Sequence, residues 1–153
     1  LLWCISQVEP IAQERDVTFK ADMRPVPMMG TEDHFKMLIM NLLANAVMYS
    51  HRGGEVRISC RPGPHTEPII TISDDGIGIP AEKLPRIFDE HYRTKEAMQH
   101  NKESSGLGLS IVKQVAQMYK IQIRVESRPG AGTTFELRFP VVEEKSGDEI
   151  QEK

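Results

Sequence analysis

The chain has 153 residues, of which 39% are hydrophobic and 27% charged, and this size and composition suit one soluble domain with a hydrophobic core. Its formal net charge of −3 comes largely from residues 143–153, which hold five acids and two lysines, so the remainder is close to neutral. A near-neutral body argues against nucleic acid as the partner. No apolar run approaches the roughly 18 residues that cross a bilayer, and the two cysteines show neither metal-ligand spacing nor a disulfide framework. We therefore expect a cytoplasmic domain that contacts no membrane.

The first half of the chain predicts two helices separated by a strand. Residues 1–14 carry apolar side chains at helical spacing, and residues 17–23 alternate between apolar and other side chains as a half-buried strand does. Thr31 stands where it can cap a second helix. Apolar residues then recur at helical spacing from Phe35 to Val47, which predicts that one face of this helix is buried.

The second half predicts four strands and one further helix. Residues 55–61 and 68–73 read as two strands joined by a turn that contains proline and glycine. A helix is predicted over residues 106–119, and strands over residues 121–126 and 133–139. Helices and strands in this order favour a mixed α+β fold in which the helices lie on one face of a sheet.

A long stretch with little periodicity lies between residues 74 and 105, apart from a short helical piece at residues 81–88. Loops of this length in compact domains are usually either functional or disordered. We expect the folded domain to span residues 1–142, followed by a charged, disordered tail at residues 143–153.

Three segments carry side chains or backbone suited to binding a ligand. The first contains Asn41 and Asn45, which lie four residues apart and therefore on one face of the predicted helix. A carboxamide oxygen is a suitable ligand for Mg²⁺, which takes its other ligands from water and nucleotide phosphates. The alternative interpretation is two asparagines exposed on the helix surface.

The second segment begins at Asp74, directly after a predicted strand, and contains Gly76 and Gly78. Glycine lets the backbone turn sharply or approach a ligand closely, and a carboxylate at a strand end can accept a hydrogen bond from an exocyclic amine such as that of adenine. The alternative is a simple acidic turn.

The third segment, residues 104–110, ends the long loop and opens a helix with two glycines. Backbone N–H groups at such a helix start form a natural anion site. The segment is neither a dinucleotide fingerprint nor a P-loop, because it lacks the third glycine of the former and the Gly-Lys-Ser/Thr ending of the latter. The alternative is a flexible joint.

In this order and spacing the chain resembles the catalytic ATP-binding domain of sensor histidine kinases, part of the ATPase superfamily that includes gyrase, the Hsp90 chaperones and the MutL proteins. The resemblance covers about residues 4–140. It rests on an asparagine box (41–50), a first glycine box (74–78), a phenylalanine box (87–93), a second glycine box (106–109) and a closing hairpin (125–135).

The resemblance implies a two-layer α/β sandwich, with a mixed β-sheet, helices on one face and the long loop as a lid over ATP. By position, Asn45 would coordinate Mg²⁺ and Asn41 would face the phosphates. Asp74 would hold the adenine amine, and Gly78 would give the base room.

The resemblance also assigns roles around the lid. Tyr92 would lie near the adenine, Arg93 near the terminal phosphates, and Phe88 would anchor the lid, while Gly106 and Gly108 would cradle the phosphates. The residues implied in catalysis are Asn41, Asn45 and Arg93. The full set implied in ATP binding is Asn41, Asn45, Tyr49, Asp74, Gly76, Gly78, Ile79, Phe88, Tyr92, Arg93, Ser105, Gly106, Leu107, Gly108 and Leu109.

The identity of residue 41 indicates what reaction this site performs. Gyrase-like relatives have a glutamate there that activates water, whereas the neutral amide of Asn41 is no useful general base. The resemblance therefore implies transfer of the γ-phosphate to a histidine on a separate dimerisation domain, and from there to an aspartate of a response regulator. In the family this histidine lies on an upstream two-helix dimerisation domain and is followed by an acidic residue. None of the five histidines has that context, so the resemblance implies a phosphoacceptor outside this chain. The family's dimer contacts belong to the same separate domain, so we expect the isolated domain to be monomeric.

The sequence departs from the family pattern at three places. Met48 stands where many relatives have a phosphate-binding lysine, Ser104 replaces a common glycine, and Tyr119–Lys120–Ile121 replaces a His-Gly-Gly sequence that would end a helix more favourably. Two alternative functions stay open at this point. One is a related serine kinase or anti-sigma-type regulator, and the other is a nucleotide-sensing module without catalysis.

Overall fold

The computed structural model describes residues 1–95, residue 98 and residues 108–143. Most of the predicted tail, residues 96, 97 and 99–105 of the predicted lid, and residues 106 and 107 of the second glycine box lie outside the described residues. Three α-helices, five strands and one 3-10 helix occur in the described part: α1 (Leu2–Glu14), β1 (Thr18–Met23), α2 (Glu32–Tyr49), β2 (Glu55–Pro62), β3 (Pro68–Asp74), the 3-10 helix (Ala81–Arg86), α3 (Gly108–Met118), β4 (Gln122–Arg128) and β5 (Gly132–Arg138).

The strands form one mixed sheet in the order β1-β2-β3-β5-β4. The edge strand β1 pairs in parallel with β2, and the other pairs are antiparallel. Because β5 inserts between β3 and β4, the end of β3 lies beside the start of β5, and Asp74 is paired with Thr133. This pairing brings together two positions that are 59 residues apart in the sequence, and it forms part of the candidate site.

In the part of the chain that the structure describes, the helices cover one face of the sheet. Side chains alternate along the central strands, so that every second residue is buried in the core, as at Ile70 and Ile72 of β3 and at Phe135 and Leu137 of β5. The opposite face carries ion pairs such as Arg61–Asp22 between neighbouring strands. The architecture is therefore the two-layer α+β sandwich that the sequence predicted.

Helix α2 connects the core to the candidate site. Thr31 caps it as predicted, because the Thr31 hydroxyl accepts a hydrogen bond from the backbone N–H of His34 at 3.3 Å. One face of α2 is buried in the core and consists of Leu38, Ile39, Leu42, Leu43, Ala46 and Val47. Asn41 and Asn45 are only half-buried. No helix among the described residues is long and apolar enough to cross a bilayer.

The predicted elements are confirmed, and their ends differ from the prediction by at most three residues. The predicted start of α3 at residue 106 lies outside the described residues. The helical piece predicted at residues 81–88 is a 3-10 helix (Ala81–Arg86) with Pro85 inside it. A proline lacks the N–H that would continue an α-helical ladder, which explains why this piece is short.

The end of α3 shows the consequence of the missing family glycine. Lys120 adopts a left-handed conformation with φ of 55°, and the N–H of Ile121 bonds to the carbonyl oxygen of Ala116 at 2.8 Å. This is the geometry in which helices usually place a glycine. A side chain at such a position costs about 1 kcal/mol.

We therefore expect Lys120→Gly to raise the free energy of unfolding by about 1 kcal/mol, because glycine adopts this conformation without strain. Lys113→Gly is a matched control: it removes an exposed lysine from the interior of the same helix, and we expect it to lower stability by about 1 kcal/mol. Urea unfolding of both variants measures the two effects. A loss of stability in both would show that residue 120 carries no strain.

Candidate functional site

A cavity opens between α2, the end of β3 with the loop that follows it, the start of β5 and the start of α3. It is lined by Asn45, Tyr49, Asp74, Ile77, Gly78, Ile79, Ile87, Tyr92, Arg93, Thr94, Gly108, Leu109, Thr133 and Phe135. Apolar walls with a few convergent polar groups are typical of sites for small molecules.

The carboxyl group of Asp74 is the most strongly perturbed acid of the site. Its side chain accepts a hydrogen bond from the N–H of Gly76 at 2.8 Å, and the backbone N–H of Thr133 donates to it as well. Burial raises the pKa of Asp74 to about 6, because the charged form is disfavoured away from water, although the two N–H donors act in the opposite direction. At neutral pH the site therefore presents a largely ionised acceptor to a ligand that can donate a hydrogen bond.

The loop after Asp74 is packed so tightly that two of its residues must be glycine. A Cβ atom at Gly76 would lie 2.0 Å from the carbonyl oxygen of Tyr49, and one at Gly78 would lie 1.9 Å from that of Arg128. Gly78 also has a φ of 70°, which favours glycine. Glycine at residue 78 is therefore required by the close approach of the protein backbone itself. That Gly78 also makes room for the adenine base stays a prediction.

The β4–β5 hairpin holds the loop from the other side. The N–H of Gly130 donates to the carbonyl oxygen of Ile77 at 2.7 Å, and the N–H of Ile79 donates to the hydroxyl of Ser127 at 2.7 Å. Ile77, Gly78 and Ile79 all line the cavity. This wall of the cavity is thus held by one backbone hydrogen bond and one hydrogen bond to a side chain, neither of which depends on a ligand.

Asn41, Asn45 and Gly108 come together at the other end of the cavity. A Cβ atom placed on Gly108, the first residue of α3, would lie 3.1 Å from Oδ1 of Asn41 and 3.8 Å from Oδ1 of Asn45. The amide nitrogen of Asn41 donates to the carbonyl oxygen of Met37 at 2.7 Å, and its oxygen is turned towards α3. Two carboxamide oxygens therefore meet the start of a helix at a position without a side chain.

The segment after the 3-10 helix supplies three further predicted residues, Phe88, Tyr92 and Arg93. Tyr92 and Arg93 line the cavity, and the guanidinium of Arg86 lies 4.3 Å from the centre of the Tyr92 ring. Phe88 is not one of the lining residues, because its ring packs edge-on against Phe135 with centroids 6.5 Å apart. The expectation that Phe88 contacts the ligand is therefore not supported by its position, whereas its packing against the core suits an anchor.

Three of the other predicted residues also line the cavity, namely Tyr49, Ile79 and Leu109. Gly76 is buried behind the wall and Asn41 lies beside Asn45 without lining the cavity. Ser105, Gly106 and Leu107 lie outside the described residues.

Sequence analysis did not single out five of the lining residues: Ile77, Ile87, Thr94, Thr133 and Phe135. Two of them, Thr133 and Phe135, belong to the hairpin noted in the sequence, and their alternation along β5 predicts that they share a face. That this face adjoins Asp74 follows only from the pairing of β3 with β5.

Comparison with known proteins identifies the family. A model of the family described as "Histidine kinase-, DNA gyrase B-, and HSP90-like ATPase" matches residues 30–143, and the chain belongs to this family. The resemblance found in the sequence is thereby confirmed.

The relatives within this family are sensor kinases. The chain is 36% identical over 126 residues to the sensor histidine kinase YkoH of Bacillus subtilis, a match that covers 82% of this chain and 27% of the relative. It is 37% identical over 147 residues to the sensor-like histidine kinase SenX3 of Mycobacterium tuberculosis, covering 95% of this chain and 35% of that protein. The chain therefore spans about a quarter to a third of the length of these relatives.

Solved structures agree with the fold. The mycobacterial sensor histidine kinase MprB superposes with a TM-score of 0.79 at 26% identity, covering 91% of this chain and 94% of that one. A structure described as full-length ShkA in complex with AMPPNP matches with a TM-score of 0.76 at 21% identity, covering 90% of this chain and 28% of that one.

The raised pKa of Asp74 predicts a gain in stability on neutralising it. The folded-state pKa of about 6 lies above the ordinary value of 3.8, so the folded state binds more protons than the unfolded chain between these values, and stability falls as the pH rises through this window. We expect Asp74→Asn to raise the free energy of unfolding by about 2 kcal/mol at pH 7.5 and to have little effect at pH 4.

Denaturant unfolding at the two pH values measures this difference. Asp75→Asn is the matched control, because Asp75 is the exposed neighbour of Asp74. An Asp74→Asn effect of equal size at both pH values would contradict the proposed cost of burying the charge.

Proposed function

We propose that the cavity binds ATP together with Mg²⁺, and that the domain donates the γ-phosphate to a histidine on a separate dimerisation domain of a two-component sensor kinase. A response-regulator aspartate would then receive the phosphate. The observation that carries this proposal is the arrangement of one cavity, with the ionisable carboxyl of Asp74 at one end and the amide of Asn45 beside Gly108 at the other. The two ends match the base and the phosphates of a nucleotide.

The base would bind at the Asp74 end. A 6-amino group can donate to the Asp74 carboxylate, and hydrogen bonds to an ionised acceptor are stronger than neutral ones. Ile79, Tyr92 and Phe135 supply apolar and aromatic surface around this group, which suits the faces of a purine ring. The loop that carries Ile79 is held by the hairpin, so little ordering cost accompanies binding on this side.

The phosphates would bind at the Asn45 end, where α3 begins. Backbone N–H groups at a helix start attract anions, and a side chain at residue 108 would crowd Oδ1 of Asn41. Among the described residues no group of three or more histidine, cysteine and acidic side chains surrounds a metal position. Mg²⁺ needs no such group, because it takes one or two ligands from the protein and the rest from phosphate and water. Asn45 fits that role, and the bound ion would neutralise charge on the phosphates.

The chemistry at this site would be transfer rather than hydrolysis. The side-chain amide of Asn41 donates a hydrogen bond to the carbonyl oxygen of Met37. Because this amide has no basic atom, Asn41 cannot take a proton from water. The γ-phosphoryl group would pass from its bridging oxygen in ATP to a neutral imidazole nitrogen, leaving ADP. Arg93 lines the cavity, and its positive charge would stabilise the transferred phosphoryl group.

The partner domain is inferred from the relatives. Sensor kinases such as YkoH and SenX3 are about three to four times as long as their matching segment, which leaves length for a domain that carries the phosphoacceptor. Full-length ShkA, which contains a domain of this fold, is described as a complex with AMPPNP.

Calorimetric titration with the Mg²⁺ complex of a non-hydrolysable ATP analogue tests the binding step. We expect a Kd near micromolar at pH 8, roughly −8 kcal/mol, and at least a tenfold loss in Asp74→Asn because the amine loses a charged acceptor. The wild-type affinity should also fall as the pH drops through about 6, since Asp74 becomes protonated, whereas the affinity of Asp74→Asn should stay flat. Absence of binding to the wild type would refute the proposal.

The metal assignment is tested in the same titration with and without Mg²⁺. Asn45→Ala should weaken binding of the magnesium complex more than binding of the metal-free nucleotide. Equal losses under both conditions would remove Asn45 from the metal site.

The transfer step is tested by adding γ-labelled ATP and a dimerisation domain from the parent kinase. We expect label on the added domain in an acid-labile, base-stable form, which is the behaviour of phosphohistidine. Acid-stable label would instead indicate a hydroxyl acceptor and the related serine-kinase function. Binding of nucleotide without any transfer would favour a nucleotide-sensing module.

A further inference from the structure

A small network of hydroxyl groups lies directly behind the wall of the cavity. The Ser127 hydroxyl of β4 accepts a hydrogen bond from the N–H of Ile79 at 2.7 Å. It also lies 2.9 Å from the carbonyl oxygen of Gly132 and 2.8 Å from the hydroxyl of Thr133. Ser127 does not line the cavity, whereas Ile79 and Thr133 do.

The number of protons in this network fixes the direction of its hydrogen bonds. A serine hydroxyl carries one proton and two lone pairs. The carbonyl oxygen of Gly132 can only accept, so the Ser127 proton is donated to it. The contact between Ser127 and Thr133 must then be made with the proton of Thr133. Ser127 is fully satisfied in this arrangement, since it donates once and accepts twice.

This arrangement determines what Thr133 can offer to a ligand. Once its proton is donated to Ser127, the Thr133 hydroxyl can present only lone pairs to the cavity. The backbone N–H of the same residue bonds to the carboxylate of Asp74, so the two side chains are neighbours. This corner of the cavity therefore offers two acceptors and no hydroxyl donor from Thr133.

We infer that Ser127 is a positioning residue that sets base specificity: it holds the Thr133 hydroxyl as an acceptor beside Asp74, so that the site favours a purine with an amine at position 6 over one with a carbonyl there. The inference rests on the proposed binding of ATP. An amine can donate to either acceptor, whereas a carbonyl oxygen would meet two acceptors and leave its own lone pairs unpaired, which is a strong basis for discrimination.

The test compares ATP with inosine triphosphate, which differs at position 6 by a carbonyl in place of the amine and by a proton on the adjacent ring nitrogen. Affinities are measured by titration with Mg²⁺ at pH 8, where Asp74 is ionised. In Ser127→Ala the Thr133 hydroxyl is free to rotate and donate to the carbonyl. We expect the preference for ATP over inosine triphosphate to fall about three- to tenfold, the size of one hydrogen bond, and Ser127→Thr to restore it.

The chain offers a matched control on the other face of the sheet. The hydroxyl of Ser73 lies 2.8 Å from that of Thr134, a pair of the same chemistry that does not line the cavity. Ser73→Ala should leave the ATP preference unchanged. A general loosening of the sheet would affect both serine variants, whereas the proposed role affects only Ser127→Ala.

Thr133→Val provides a second route to the same result if Ser127→Ala does not fold. It removes the hydroxyl that Ser127 orients, and we expect the ATP preference to fall as well. An unchanged preference in a folded Ser127→Ala or Thr133→Val that still binds ATP would overturn the role of Ser127 while leaving the proposed function intact. Failure of the wild type to bind ATP would overturn both.

Discussion

The candidate site depends on a contact between three pieces of backbone. The end of α2, the loop after β3 and the β4–β5 hairpin approach one another so closely that a single added Cβ atom at Gly76, Gly78 or Gly132 would overlap a carbonyl oxygen of a neighbouring piece. No side-chain rearrangement relieves an overlap with backbone, so any larger residue must move one of the three pieces. This contact fixes the position of Asp74 relative to the rest of the cavity.

The two ends of the cavity are held in different ways. At the Asp74 end, hydrogen bonds from Gly76 and Thr133 orient the carboxyl group, and burial raises its pKa. At the other end, Asn45 lies on α2, and the packing of α2 against the core sets the position of Asn45 relative to the sheet. A ligand that spans both ends must match the distance between the end of β3 and one face of α2. That distance is fixed, because the strand and the helix are joined through a close-packed interior that deforms little.

Local sequence signals predicted most of the fold. The cap at Thr31 and the buried face of α2 depend on neighbours within one helix, and both predictions are confirmed. The position of Asp74 at a strand end is also a local feature. The role of Thr133 could not be predicted in this way, because it depends on the pairing of β3 with β5, and nothing in the residues between them specifies that partner. The packing of Phe88 could not be predicted for a similar reason, since its partner Phe135 lies 47 residues later in the sequence.

One face of helix α2 packs in the core, and Asn41 and Asn45 lie beside that face. The same helix is therefore part of both the interior and the candidate site. Leu42 and Ala46 do not line the cavity but are buried beneath the same helix, so a substitution that changes their packing can also disturb Asn45. In a genetic screen for loss of function, such interior variants would be scored together with variants of the site itself. A measurement of folding is needed to separate the two groups, because loss of function alone does not distinguish a change in the core from a change in the site.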